Sequence, residues 1–208
     1  VYIKAGWADI DPYSLCKTDL DGNEKILYTN PAPGYKIYPY EWLPNGKGIV
    51  VVQQDTTGYT LGIALINGGN IEILKKLDNI SAASVSPDSR YIVFTDGPME
   101  SRNILIIDRV SKEITTLTDN PANDGSPKWS PDGEYIVFKS NRHGDYAIWG
   151  VKVKDGQPQG PPFMIMPGAR DIRLLNWTPA GLALNMIIQT IDIYEMSMDP
   201  VTGKSIEK

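Results

Sequence analysis

The chain is poor in the residues from which most enzyme and metal sites are built. Its 208 residues include one cysteine, Cys16, and one histidine, His143. A lone cysteine rules out an internal disulfide and a Cys/His zinc cluster, and leaves the redox compartment open. Cys16 falls in a predicted strand and reads as a small buried residue. One histidine leaves a single base for a Ser-His-Asp triad, and no G-x-S-x-G elbow supplies the nucleophile. No glycine-rich phosphate loop is present. The Asp-rich turns, Asp19-Leu20-Asp21-Gly22 and Asp119 to Gly125, lack calcium-loop spacing and read as carboxylates bonded to their own backbone. The sequence therefore assigns no catalytic residue, no metal and no cofactor. No apolar run approaches the roughly 18 to 20 residues that cross a bilayer, so no membrane insertion is expected. No signal peptide is visible. A net charge of −5 argues against nucleic acid as a partner. No segment keeps a 3.6-residue apolar period, so almost no helix is expected.

What the chain does have is repetition. Trp129 to Phe138 reads WSPDGEYIVF, and related segments begin at Trp42 (WLPNGKGIVVV), Val85 (VSPDSRYIVF) and Trp177 (WTPAGLAL). Their starts are 43, 44 and 48 residues apart. A period in the forties with strand-turn-strand content is the signature of a propeller blade. Pro131 sets φ for the second position of a β-turn, and Asp132-Gly133 tolerate the positions after it. Tyr135 to Phe138 is then a short buried strand. Trp129 ends the preceding strand and points into the packing between blades, with Trp42, Trp177 and the smaller Val85 in the same place.

Four strands per blade fit the rest. In the clearest copy the second strand runs Tyr135 to Lys139 and a polar loop spans Ser140 to Asp145. The third strand is Tyr146 to Val153, and Pro162 to Met166 is an outer strand. Earlier copies give Tyr91 to Thr95, Asn103 to Asp108 and Glu113 to Thr118, and before them Gly48 to Gln53, Leu61 to Ile66 and Ile71 to Leu77. The ends are incomplete: Val1 to Gly6, Tyr13 to Thr18 and Lys25 to Thr29 lack a first strand. At the far end lie Arg173 to Trp177, Gly181 to Ile188 and Ile191 to Met198, with a weak tail from Val201 to Lys208. The chain is thus an all-β propeller of four-stranded antiparallel blades, about five in number, three complete and two partial. The repeats fall at about 1–29, 36–78, 80–119, 125–167 and 172–208 of one domain. Two arrangements compete: a piece of a longer propeller of roughly six or seven blades, or a ring of about five closed by a terminal strand. Val1 and the polar final run favour the piece, which would need a partner chain or self-association to cover its open faces.

Trp-Ser-Pro-Asp-Gly with its apolar strand, then Ser140-Asn141-Arg142-His143-Gly144-Asp145 and Tyr146-Ala147-Ile148-Trp149, resembles the TolB-type propeller repeat. The resemblance is close over residues 125 to 155 and good over 80 to 119, where Val85 replaces Trp and Ser89 replaces Gly. It is weaker over 36 to 78 and partial over 172 to 198, where Ala180 replaces Asp. It implies a fold more than a function, because propellers of this kind serve as periplasmic interaction modules, as sensory domains and as non-catalytic parts of serine peptidases, and a similar one serves a lyase family. It also implies a periplasmic or extracellular location.

In such a fold the connections from fourth to first strands share one face with the second-to-third loops. The first connection, Asn30 to Tyr40, carries Tyr35, Tyr38 and Tyr40, large amphipathic side chains suited to recognition. Later connections carry Asn123, Asp124, Arg170, Asp171 and Arg173. The second-to-third loops carry Asp55, Glu100, Arg102, Arg142 and His143. As a set they form the candidate face for a protein or peptide partner. The expected function is a non-catalytic scaffold for protein interaction or sensing. The alternatives are the propeller of a larger enzyme such as a serine peptidase and, less favoured, a carbohydrate-active lyase or hydrolase. On this reading Tyr38→Ala or Arg142→Ala weakens partner binding without unfolding the domain.

Overall fold

The structure, a computed structural model, describes residues 2–4, 13–30, 35–169 and 171–187. Among them there are strands and turns but no helix. The first sheet holds β1 (Tyr2–Lys4), β2 (Ser14–Thr18) and β3 (Glu24–Thr29). The second holds β4 (Lys36–Trp42), β5 (Gly48–Asp55), β6 (Gly58–Leu65) and β7 (Ile71–Leu77). The third holds β8 (Ala83–Val85), β9 (Tyr91–Asp96), β10 (Asn103–Asp108) and β11 (Ile114–Thr116). The fourth holds β12 (Asp124–Trp129), β13 (Tyr135–His143), β14 (Asp145–Lys154), the two-residue β15 (Gln157–Pro158) and β16 (Phe163–Ala169), with both β15 and β16 pairing β14. The last is a hairpin of β17 (Asp171–Thr178) and β18 (Gly181–Ile187). Every pairing is antiparallel. The described chain is thus an open partial propeller with three complete blades and two partial ones. The predicted strands Ile191 to Met198 and Val201 to Lys208 lie outside the described residues.

The core sits between the blades, and the second strand of each blade explains how. Side chains alternate across a strand, so a strand buried on both faces must be apolar throughout. In β5, Ile49 and Val51 pack toward the first blade, while Val50 and Val52 pack toward the third. In β9, Ile92 and Phe94 face back toward the second blade, and Tyr91 and Val93 face forward to the fourth. In β13, Ile136 and Phe138 face back and Val137 faces the last hairpin. The continuous runs VVV and YIVF are therefore what a strand between two neighbours requires. Cys16 is fully buried in β2.

The SPDG segment is a turn that satisfies itself. The Ser130 hydroxyl donates to Asp132 and accepts from the Tyr135 N–H at 2.9 Å. Asp132 Oδ1 in turn accepts the Glu134 N–H at 2.9 Å. Gly133 closes the turn with φ of 75°, where a side chain would be strained. Ser86, Asp88 and Ser89 repeat the arrangement, and Ser89 accepts a φ of 62° in place of glycine.

Two expectations need correction. Trp129 is buried and stacks on Tyr91 of the preceding blade, with ring centroids 6.3 Å apart. Trp42, expected to match it, is 40% exposed, and Leu43 beside it is buried instead. No described ring stacks on Trp42 as Tyr91 does on Trp129. The Ser140 to Asp145 loop is mostly strand: β13 runs on to His143, shifts register after Ser140, and turns at Gly144. Trp177 is half-buried against the last cluster, as expected.

Candidate functional site

The first strands of the blades stand side by side around a central cavity. Each is the inner edge of its sheet, and such edges tolerate proline and register breaks. Proline occurs in two of them, Pro39 in β4 and Pro127 in β12. The ladder of β4 skips Tyr40, that of β12 skips Ser126 and Pro127, and that of β17 skips Leu175. All four skipped residues line the cavity. Ser126 holds a φ of 51°, a left-handed conformation uncommon for a residue with a side chain. The bulges thus take residues out of the ladder at the central wall.

The cavity encloses about 470 Å³, within the size range of ligand pockets. Ala83 of the third blade completes the wall between Tyr40 and Ser126. Arg102, Lys128, Lys139 and Arg173 also line it, and among the described residues that line it none is acidic. Arg102 Nε is buried and has no hydrogen-bond partner among the described residues. Lys139 lies over the Tyr146 ring, 4.6 Å from its centroid. Glu41, not itself in the wall, reaches Lys128 at 3.9 Å and accepts the Val85 N–H at 3.2 Å. Burial raises the pKa of Tyr40, with Tyr38 and Tyr59 adding to the effect and Arg102 opposing it, so the Tyr40 hydroxyl keeps its proton.

The candidate residues divide between this site and the scaffold. Tyr40 and Arg173 reach the cavity. Tyr38 sits beside it, 37% exposed, and donates to Gln54 Oε1 at 3.1 Å. Tyr38 and Tyr40 lie in β4, and Asp124 and Asp171 in β12 and β17, all in first strands rather than in the connections expected to carry them. A first strand is an edge with proline and polar residues, so its sequence resembles a loop. Tyr35 is half-buried, and its carbonyl accepts from Asn30 Nδ2 at 2.6 Å. Arg170 lies outside the described residues.

Asp124 and Arg142 belong to the scaffold. Asp124, expected on a solvated connection, is fully buried. Arg142 Nη2 donates to its two oxygens at 3.2 and 3.3 Å, and Asn120 Nδ2 donates at 3.0 Å. Arg142 Nε donates to Ser140 Oγ at 2.9 Å, and the guanidinium lies 4.5 Å from the Trp149 ring centroid. His143 is exposed and meets the Trp149 ring edge-on, with centroids 5.0 Å apart. The S-x-R-x-G segment is thus a clamp that fastens the hairpin of β13 and β14 to β12. Residues missed in the sequence are Lys128 and Lys139, which read there as ordinary strand polarity. Among the described residues no three of His, Cys, Asp and Glu come together as a metal site.

The family model for the TolB beta propeller domain matches residues 1–207. The crystal structure of TolB from Acinetobacter baumannii superposes with a TM-score of 0.72 at 20% identity, covering 95% of this chain and 49% of that one. The tricorn protease structure gives a TM-score of 0.57 at 14% identity, over 84% of this chain and 22% of that one. At these identities the structures share the fold alone. A protein of Sulfurisphaera tokodaii, named as a Tricorn-like protease C-terminal subunit, is 27% identical over 104 residues, 49% of this chain and 12% of its own length. The chain therefore spans about half of the TolB structure and a small part of the curated relative.

Proposed function

This chain belongs to the TolB β-propeller domain family, and we propose that it is a non-catalytic scaffold that binds a protein or peptide where the central cavity opens. The observation that carries the reading is the cavity wall itself: the bulged edge strands β4, β12 and β17 bring Tyr40, Lys128 and Arg173 to one concave place, where the β9–β10 connection adds Arg102 and β13 adds Lys139. Rigid sheets that hold such groups at their rim suit recognition. His143 packs edge-on against Trp149, which is a structural use of the one histidine. The location that fits this reading is the periplasm or the cell exterior.

The test is site-specific photo-crosslinking in cells. A photoreactive phenylalanine analogue at Tyr38 or Arg173 is expected to capture a common protein, whereas the same probe at Asp88, on the turn at the opposite face, is not. Adducts at Asp88 alone, or no adduct at any position, would overturn the reading.

A second reading is favoured by the likeness to the tricorn-like subunit. The chain would then be the propeller of a larger peptidase, its cavity receiving substrate polypeptide. The sequence of the whole gene decides this, because a nucleophile elbow would be plain to read.

A further inference from the structure

We propose that a tyrosine-lined groove beside the central cavity binds a proline-rich peptide segment in the extended polyproline conformation, a specification that rests on the scaffold reading above. The groove shares Tyr40 and Ser81 with the cavity. Three neighbouring strands build it: Tyr38 and Tyr40 come from β4, Val52 and Gln54 from β5, and Tyr59 from β6. Directly opposed residues share a face of a sheet, and Tyr38 stands opposite Val52 and Gln54 opposite Tyr59. Ile80, from the connection between β7 and β8, makes the floor with Val52, and both are buried in the core between the second and third blades. Among the described residues that line the groove none is charged.

The second observation is what these side chains still have to give. The Tyr38 hydroxyl donates to Gln54 Oε1 at 3.1 Å, and Gln54 Nε2 donates to the Tyr59 oxygen at 3.2 Å. Both ends of the amide are thus engaged, while Tyr59 keeps its own proton to donate. Turning the amide over would pass that free proton to Tyr38 and leave the count unchanged. The Tyr40 hydroxyl has no partner among the described residues and, lining the groove, is not sealed from solvent as Arg102 Nε is. Burial, with Tyr38 and Tyr59 close enough to add to its effect, keeps the Tyr40 proton in place.

The wall therefore offers phenolic donors and aromatic surface over an apolar floor. A proline-rich segment offers the converse: its prolines have no N–H, each residue has a carbonyl, and its rings are apolar. It is also extended before it binds, so little ordering entropy is lost on docking to an aromatic groove. A sugar is matched less well. Its adjacent hydroxyls call for a planar group that both donates and accepts, and Gln54 is already committed to two tyrosines. The groove holds about 240 Å³, below the roughly 300 Å³ at which ligand pockets begin, which suits a chain that seats a ring there and runs on beyond it.

The test is titration calorimetry on the purified chain with three probes: blocked octaproline, a blocked octapeptide alternating glycine and serine, and maltotriose. Octaproline is expected to bind and the other two not. Tyr40→Phe removes only the unpartnered hydroxyl, so it should weaken octaproline about fivefold, the size of one lost hydrogen bond, with the melting temperature held. Tyr38→Ala, at an exposed position, should weaken it about tenfold through the lost ring contact. With no charge in the described wall, affinity should not fall as ionic strength passes about 0.1 M. The proposal is overturned by no binding of octaproline, by either other probe binding as tightly, by affinity unchanged in either variant, or by affinity lost with salt. Crosslinks at Tyr38 and Arg173 without octaproline binding would remove this proposal and leave the scaffold reading standing. Octaproline binding without a captured protein would do the reverse.

Discussion

Asp124 has no solvent exposure, and its charge is held by Arg142 and Asn120. Removing one partner of a buried pair strands the other, which costs more than the pair contributes. Arg142→Ala is therefore expected to destabilise the fold by about 3 kcal/mol, a fall in melting temperature on the order of 10 °C, readable by calorimetry. This reverses the expectation that Arg142→Ala is silent for folding. Asp132 is the contrasting case, an exposed carboxylate whose bonds are local. The Ser130 hydroxyl and then the Glu134 N–H donate to it and hold its pKa below the ordinary 3.8. A carboxylate with a depressed folded value stabilises above its unfolded value, and that contribution disappears as pH falls through the folded one. Asp132→Asn should therefore melt below the parent chain by a gap that is full above about pH 5 and closes as pH falls below 3.8. A gap that stays constant down to the acid limb would show that the charge contributes nothing.

At the scale of the element, the blade interface distinguishes tryptophans that the repeat presents as equivalent. Trp129 is buried among residues of the third and fourth blades, while Trp42 keeps 40% of its surface in water. Trp129→Ala is expected to cost about 3 to 5 kcal/mol and Trp42→Ala about 1 kcal/mol or less, measured as paired denaturant midpoints. Equal losses would mean that Trp42 is covered in solution. The second strands were legible because burial on both faces forces an unbroken apolar run, as in VVV and YIVF. The first strands were not. An inner edge strand loses half its ladder, accepts Pro39 and Pro127, and bulges, so neither alternation nor apolar content marks it. For this reason the sequence around Tyr38, Tyr40 and Asp124 reads as loop although the residues lie in β4 and β12.

At the scale of the molecule, the sheets converge their edge strands on one cavity, and the groups that meet there come from far apart in sequence. Tyr40, Arg102, Lys128 and Arg173 come from separate blades or loops, and no local pattern links them. The sequence marks Tyr40 and Arg173 as candidates through the connections it predicts around them. Lys128 and Lys139 carried no signal, because a lysine in a strand is ordinary until its neighbours across the axis are known. Conversely, the conspicuous S-x-R-x-G segment proved to be a clamp.

The sequence by itself determined the fold class and the turn chemistry. A repeated S-P-D-G turn and doubly apolar second strands are local requirements, and local requirements are written in consecutive residues. Only the tertiary structure decided which charged side chains are locked into the scaffold and which line the cavity. Asp124 and Arg142 became an internal pair and Arg102 part of the cavity wall because burial and cross-blade distance, properties of the assembled sheets, set the energy of a charge.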